Sequence, residues 1–213
     1  MKKTLLFSAV LASAVALTSC GETASTETES TTTENTTDTA PEEAITYNVE
    51  TASSNIRWEG GTAGIQVYSH FGSLDIKEGS LTMEGSTITA GEFVVDMTTI
   101  NPQDSGYSEE HPPSDLVGHL STGDFFLVDS FPTASFVVKS HNGNQLVGDL
   151  TVRGNTNEET IEIESLEVTD AGVSAKGRLV FNRQDYDVAW EHYMKDVTLS
   201  NDIELDITLQ ATK

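Results

Sequence analysis

The chain has very little cysteine and few basic residues. Cys20 is the single cysteine among 213 residues, which excludes an internal disulfide and a four-cysteine zinc site. Lysine and arginine number 11 against 34 aspartate and glutamate residues, and the formal net charge is −23. Because phosphate contacts need clustered basic side chains, this balance argues against a nucleic-acid partner. We interpret the acidity as a solvated surface that keeps the protein soluble.

The chain also lacks the sequence patterns of common enzymes and metal sites. It contains no nucleophile elbow, no phosphate-binding glycine loop and no HExxH motif, so we predict neither catalysis nor a cofactor. The five histidines never occur at the spacing of common metal motifs: His70, His111, His119, His141 and His192. His111 and His119 share one predicted loop and leave a metal site as an alternative. We favour surface histidines and no metal, with His119 bonded to backbone beneath two phenylalanines.

The N-terminus has the pattern of a secretory signal. Lys2 and Lys3 precede a short apolar run, Leu5–Leu17, which is too short to span a membrane. The small residues before Cys20 resemble a bacterial lipobox, and this resemblance implies cleavage and lipid attachment at that cysteine. We therefore predict a lipoprotein signal peptide over residues 1–19 and a position in the cell envelope, on the periplasmic or outer-membrane face. An ordinary signal peptide with a nearby cysteine is the alternative.

A polar segment follows the cysteine. Residues 21–44 contain no aromatic and no large aliphatic side chain, and their seven acidic residues repel one another. Such a segment cannot bury enough apolar surface to fold. We predict an acidic, Ser/Thr-rich, disordered tether over residues 20–44. A role of its acidic residues in sorting the lipoprotein to a membrane face is the alternative to a plain spacer.

From Ile45 onward the apolar residues follow a period of two. The last segment is the clearest, because apolar residues at every second position from Ile203 to Leu209 alternate with polar ones. One dry and one wet face indicate antiparallel strands. Turn signals recur at short intervals, for example at Gly60-Gly61 and Glu78-Gly79. Since no long amphipathic helix can cover the dry face, we predict an all-β fold over residues 45–213: a single antiparallel β-barrel of about eight or more strands.

The longest interruption of this pattern is Asn101–Gly123, which contains three prolines. We predict one long lid loop here, with a short turn capped by Ser114 and ending at Leu120. The following apolar run, Phe125–Val128, is too short for a helix. Together with the nearby Phe131-Pro132 it is typical of a segment that plugs an apolar opening.

The sequence from His119 to Phe136, HLSTGDFFLVDSFPTASF, resembles the signature of the YceI-like family of polyisoprenoid-binding, lipocalin-like barrels. Further pieces that fit the family occur in the same order along the chain: Trp58 with Gly60, a Ser69–Gly72 turn, Gly91–Met97, Leu150–Gly154 and Phe181–Arg183. The resemblance covers roughly residues 45–213. It implies a lipocalin-like barrel that encloses a long isoprenoid chain.

The aromatic residues have two interpretations. Trp58, Trp190 and Tyr193 either line the mouth of a cavity or fill a solid barrel, and the residues alone leave both open. The resemblance favours a cavity, with ligand-binding candidates drawn from periodicity and family pattern: Phe93, Phe125, Phe126, Phe136, Phe181, Trp58, Trp190, His119 and Arg153. Arg153 or Arg183 would pair with a phosphate or another polar headgroup. A salt bridge to a neighbouring carboxylate is the alternative for either arginine.

These observations together predict a membrane-anchored binding protein. Its ligand is a polyisoprenoid or an isoprenoid quinone held inside the barrel, and the lid around His111–Phe126 gates access. Its partners are this lipid ligand and, through lipidated Cys20, a membrane; a homodimer is left open. The alternative is a structural or interaction lipoprotein whose solidly packed barrel recognises a protein partner on its acidic outer surface.

Overall fold

The computed structural model describes residues 42–63, 68–192, 194 and 196–213. The predicted signal peptide, Cys20 and Tyr193 lie outside the described residues, as does the predicted tether up to residue 41. The last tether residue, Ala44, already belongs to the first strand. No helix within the described ranges is long and apolar enough to cross a membrane.

The described chain is almost entirely β-structure. Its elements, in chain order, are β1 (Ala44–Val49), a 3₁₀ helix (Thr51–Ser53), β2 (Asn55–Ala63), β3 (Ser69–Glu84), β4 (Thr87–Pro102), α1 (Pro113–Ser121), β5 (Thr133–Asn142), β6 (Gln145–Val152), β7 (Asn155–Thr169), β8 (Gly172–Asn182), a second 3₁₀ helix (Arg183–Tyr186), β9 (Thr198–Leu199) and β10 (Asp202–Thr212). Each strand from β2 to β7 pairs antiparallel with the next one in the chain. This confirms the predicted all-β, antiparallel fold.

β10 closes the sheet into a barrel of eight strands. It pairs with β8 on one side and with β2 on the other, so that Leu205 lies opposite both Leu179 and Trp58. The short strands β1 and β9 lie outside this ring: β1 pairs with β3 and β10, and β9 pairs with β2. Closure removes the unpaired strand edges that make open sheets prone to association.

Alternation of apolar and polar residues explains which face turns inward. In β8, Leu179 and Phe181 are buried, whereas Arg178 before them and Val180 between them are exposed. The β6 sequence QLVGDLTV likewise buries every second residue from Leu146 to Val152. Because successive side chains of a strand point to opposite faces, these rows form the inner wall of the barrel.

Several predicted turns lie inside strands. Gly60-Gly61 belongs to β2, and Ser69–Gly72 forms the start of β3. Glu78-Gly79 coincides with a bulge, where the register between β3 and β4 shifts after Ile76. Glycine in a strand often marks a bulge or a close approach of another group. In the sequence, such a glycine looks the same as a glycine in a turn.

The two ends of the barrel differ. At the end with the β3–β4, β5–β6 and β7–β8 hairpins, the interior is filled by tightly buried side chains: Tyr47, Met83, Val173 and Ala211. The opposite end carries α1 and the segments 103–132 and 183–201, and we call it the lid end. The strands therefore form a cup that is packed at its base.

The helix α1 differs from the predicted turn. It has nine residues, and Pro112 precedes it without a side-chain cap, so the prediction that Ser114 caps a short turn is wrong. Pro113 instead begins the helix, because its fixed φ suits a first helical residue, whose N–H has no partner within the helix. The apolar side chains of α1, at Leu116, Val117 and Leu120, pack against the core.

Candidate functional site

The barrel encloses a cavity of about 760 Å³. Side chains from all eight barrel strands, from α1 and from the segment 183–201 form its wall. This volume lies within the range of small-molecule and cofactor sites, about 300–1,000 Å³. The barrel is therefore hollow, and the interpretation of a solidly packed barrel is wrong.

The cavity wall is apolar. Inward residues of β7 and β10, such as Ile163, Ile203 and Leu205, are only half-buried although they sit inside the barrel. Their remaining exposed surface faces the cavity. A ligand that covers apolar surface of this kind gains about 25 cal/mol per Å² removed from water.

Trp58 is held in the wall by its cross-strand neighbour. Gly72 lies directly opposite Trp58 in the β2–β3 pair, and a Cβ at Gly72 would approach the indole to 2.8 Å. The indole Nε1 donates a hydrogen bond to the carbonyl oxygen of Ser73 at 3.3 Å. The missing side chain at Gly72 thus lets the indole lie across the strand, and the hydrogen bond fixes it there.

The structure brings eight of the predicted ligand-binding residues together around the cavity. Four lie on barrel strands: Trp58 on β2, Phe93 on β4, Phe136 on β5 and Phe181 on β8. The other four lie at the lid end: His119, Phe125, Phe126 and Trp190. All eight line the cavity, and their contact with a ligand stays a prediction.

The four residues at the lid end form one aromatic cluster, which we call the lid cluster. The His119 ring lies edge-on to Phe125 and to Trp190, with centroids 4.9 and 4.8 Å apart. Phe125 and Trp190 are 5.6 Å apart, and Phe126 adjoins Phe125 at 6.2 Å. The cluster therefore joins three separate segments over the cavity.

Backbone hydrogen bonds hold the phenylalanine pair against the end of α1. The Phe126 N–H donates to the carbonyl of Leu120 at 3.0 Å, and the Val128 N–H donates to that of Ser121 at 2.9 Å. These bonds satisfy carbonyls that the helix leaves without a partner at its C-terminus. The segment thus folds back beneath α1 and does not continue the helix.

Arg153 stands apart from the other predicted residues, because it does not line the cavity. Its guanidinium donates to the backbone carbonyl of Gly123 at 2.8 Å and to that of Asp187. Both partners are carbonyls, so the contact is not the carboxylate salt bridge considered as an alternative. Arg153 connects the two segments that carry Phe125 and Trp190.

Arg183 has a similar role and is almost fully buried, with 2% of its surface exposed. It donates to the carbonyl of Ser200 at 2.9 Å and to that of Val188. Burial lowers the pKa of Arg183, and the charge of Glu191 raises it by a smaller amount. The guanidinium thus organises the segment that leads to Trp190.

Sequence reasoning missed a polar network at the lid end. His70 Nδ1 lies 3.0 Å from one carboxylate oxygen of Asp104, and the Tyr107 hydroxyl donates to the other at 2.7 Å. The Phe71 N–H also donates to this carboxylate, at 3.3 Å. Asp104 and Tyr107 lie more than 30 residues from His70 in the chain, so the sequence carries no local signal for their contact.

The pKa values in this network move in opposite directions. Burial raises the pKa of Asp104, but hydrogen bonds from His70 and Tyr107 outweigh it, and the net pKa is lowered. Burial and the neighbouring carboxylate raise the pKa of Tyr107. Asp104 is therefore ionised and Tyr107 is protonated near neutral pH.

Titratable side chains border the cavity mainly at the lid end. They are Tyr68, His70, His111, Asp115, His119 and His192. Lys176 also borders the cavity, but it is an exposed residue between Ala175 and Gly177 of β8, at an outward position. Within the described residues no group of three or more His, Cys, Asp or Glu side chains is placed to hold a metal ion.

Comparison with known proteins gives a family match. The family model described as YceI-like domain matches residues 47–211. Two UPF0312 proteins of Staphylococcus aureus, from strains MSSA476 and USA300, are 33% and 34% identical to the chain over 102 and 100 residues. Each alignment covers 43% of this chain and 58% of the relative. The chain thus spans less than two thirds of the length of these relatives.

Solved structures with the same fold are more distant in sequence. BcnA from Burkholderia cenocepacia has a TM-score of 0.57 at 16% identity, with 77% of this chain and 99% of BcnA covered. A polyisoprenoid binding domain from Saccharophagus degradans, implicated in plant cell wall breakdown, has a TM-score of 0.51 at 10% identity. That alignment covers 78% of this chain and 97% of the domain. At these identities the likeness concerns the fold.

Proposed function

The chain belongs to the YceI-like family, and from this premise we propose that it binds a long apolar molecule, a polyisoprenoid or an isoprenoid quinone, inside its barrel. The cavity of about 760 Å³ carries the proposal. Its apolar wall suits a hydrocarbon tail, and the polar side chains near the lid end suit a head. The polyisoprenoid binding domain of Saccharophagus degradans, which shares the fold, supports this ligand class.

The lid end controls access in this proposal. The base of the barrel is packed, so a ligand reaches the cavity past α1 and the lid cluster. The three segments of the cluster meet through ring contacts and a few hydrogen bonds, whereas the barrel strands are joined by continuous ladders. Segments with fewer fixed contacts open at a lower free-energy cost.

We further propose that the protein is a lipoprotein of the cell envelope, anchored through Cys20. The charged N-terminus, the apolar run and the small residues before the cysteine support the anchor. Several acyl chains hold a protein on a membrane, at about 0.8 kcal/mol for each buried CH₂.

The ligand proposal is tested by native mass spectrometry on protein purified without detergent, followed by organic extraction. We expect a stoichiometric apolar adduct. The variant Ala175→Phe places a ring in the cavity from the inner face of β8, and we expect it to lose at least half of this adduct. Filling empty apolar space should preserve folding, because few existing contacts are lost.

Val180→Phe is the matched control. It adds a ring to the same strand on the outer face, where Val180 is 45% exposed, and we expect its adduct to equal that of the wild type. An apo mass for the wild type, together with no uptake of added isoprenoids, would contradict the proposed function. Equal adducts in both variants would mean that the ligand lies elsewhere.

A further inference from the structure

We propose that His70 anchors the head of the bound molecule, and that its Nε2 accepts a hydrogen bond from a hydroxyl group of the ligand. This inference rests on the proposed function and narrows the ligand class to long apolar molecules with a hydroxyl head. Asp104 and Tyr107 act as positioning residues that hold the imidazole in one orientation and one tautomer.

The position of His70 in β3 directs its side chain to the cavity. His70 shares the inward face with Gly72, Leu74 and Ile76, and it is the last residue of this row at the lid end. Its cross-strand partner is Gly60, which has no side chain to cover the ring. The imidazole is 31% exposed and borders the cavity. A ligand head therefore has room beside it.

The hydrogen bonds around Asp104 determine the tautomer of His70. The Asp104 carboxylate accepts from the Tyr107 hydroxyl and from the Phe71 N–H. An ionised carboxylate has no proton to donate, so the short contact to His70 requires a proton on Nδ1. In the neutral imidazole Nε2 then carries a lone pair and is an acceptor. An acceptor at this place selects a ligand with an O–H donor.

Ring contacts restrict the orientation of the imidazole. Tyr107 stacks on His70 with centroids 5.7 Å apart and ring planes inclined by 19°. Tyr68 lies edge-on at 5.6 Å on another side. With Nδ1 bound and two rings in contact, His70 loses little further freedom when a ligand binds, and this pre-organisation favours affinity.

The charges at the lid end disfavour a phosphate head. Asp115 contributes a carboxylate to the cavity border, and no arginine belongs to the described lining. Arg153 and Arg183 are held by backbone carbonyls, as described above. Phosphate recognition relies on cationic partners. A neutral hydroxyl head avoids this repulsion and provides the donor that His70 requires.

The test compares two probes with identical tails, geranylgeraniol and its methyl ether. Only the alcohol can donate a hydrogen bond to Nε2. The protein is purified from cells, freed of lipid by organic extraction, and titrated with each probe at neutral pH by competition against a fluorescent apolar dye. For the wild type we expect the alcohol to bind about tenfold more tightly, which corresponds to about 1.4 kcal/mol, a typical net value for one hydrogen bond.

Two variants examine the assignment. We expect His70→Phe to bind both probes equally, with affinity for the ether within about twofold of the wild type, because the apolar wall is intact. Val180→Phe adds the same ring on the outer face of β8, away from the cavity, and should keep the preference for the alcohol. Near-ultraviolet circular dichroism verifies that each variant is folded.

Asp104→Asn is the conservative test of the positioning role. The asparagine amide can either accept from Nδ1–H or donate to an unprotonated Nδ1, so this variant no longer fixes the proton on Nδ1. Nε2 is then an acceptor in only part of the molecules, and the hydrogen bond to the alcohol contributes only about 1 kcal/mol even when it forms. We therefore expect the preference for the alcohol to fall below about threefold. Equal affinities for both probes in the wild type, or a preserved preference in His70→Phe, would overturn the assignment of His70. If neither probe binds the wild type, the proposed function fails with it.

Discussion

Arg153 and Arg183 stabilise the backbone of the lid end in the structure. Arg153 donates to main-chain carbonyls of the segments that carry Phe125 and Trp190, and Arg183 donates to two carbonyls of the segment that carries Trp190. The sequence made them candidates for a headgroup contact because basic residues are rare in this chain. The scarcity of basic residues draws attention to an arginine, but it does not show which group the arginine contacts. That partner is determined only when the lid end has folded.

We expect Arg183→Ala to lower the free energy of unfolding by about 3 kcal/mol or more. The change leaves the buried carbonyl of Val188 and the partly buried carbonyl of Ser200 without their donor, and each lost partner costs about 1–3 kcal/mol. Urea denaturation measures the effect. The control is Arg178→Ala, which removes an exposed ion pair with Glu204 and should cost less than about 1 kcal/mol. Equal losses in both variants would contradict the structural role of Arg183.

At the scale of elements, the strands followed the sequence more closely than the lid did. The period of two in β6, β8 and β10 predicted their inward faces, because successive side chains of a strand point to opposite sides and only the inward side is apolar. The nine-residue helix α1 lies in the stretch Asn101–Gly123, whose three prolines predicted a loop. The helix forms because Leu116, Val117 and Leu120 pack against the core.

We expect Gly118→Ala to stabilise α1 by about 1 kcal/mol, because glycine is a poor helix former and a Cβ at Gly118 meets nothing within 4 Å. Slower amide hydrogen exchange in α1 measures this gain. Gly148→Ala is the opposite case, since a Cβ there would lie 2.4 Å from the ring of Phe136 and 2.5 Å from the carbonyl of Val137. We expect that variant to lower the unfolding free energy. Unchanged exchange in Gly118→Ala would show that α1 is not limited by its glycine.

For the whole molecule, the barrel and the N-terminal segment have separate tasks in our proposal. We propose that the barrel holds the ligand and that Cys20 holds the protein at the membrane. We expect Cys20→Ser to move the protein from the membrane fraction to the soluble fraction, because it removes the proposed site of acylation. Fractionation and immunoblotting measure the change. Ser19→Ala keeps a small residue before the cysteine and should stay in the membrane fraction; if Cys20→Ser stays there too, the anchor lies elsewhere.

The sequence by itself determined the all-β class, the antiparallel pairing and the inward faces of several strands. These features depend on period, on turn chemistry and on the apolar character of single residues, all of which are local along the chain. Phe93, Phe136 and Phe181 follow directly from alternation within their strands. The predicted lid also lies at one end of the barrel, although its helix was missed.

Only the tertiary structure decided that the barrel is hollow and that His70, Asp104 and Tyr107 meet. A solid and a hollow barrel share the same alternation, because the period fixes the direction of a side chain but not what fills the space in front of it. The hydrogen bonds among these three residues depend on the register between β3 and β4 and on the path of the chain after β4. The pairing of β3 with β4, in which Gly72 lies opposite Pro102, brings His70 next to the segment that follows β4. No local pattern in the sequence encodes this register.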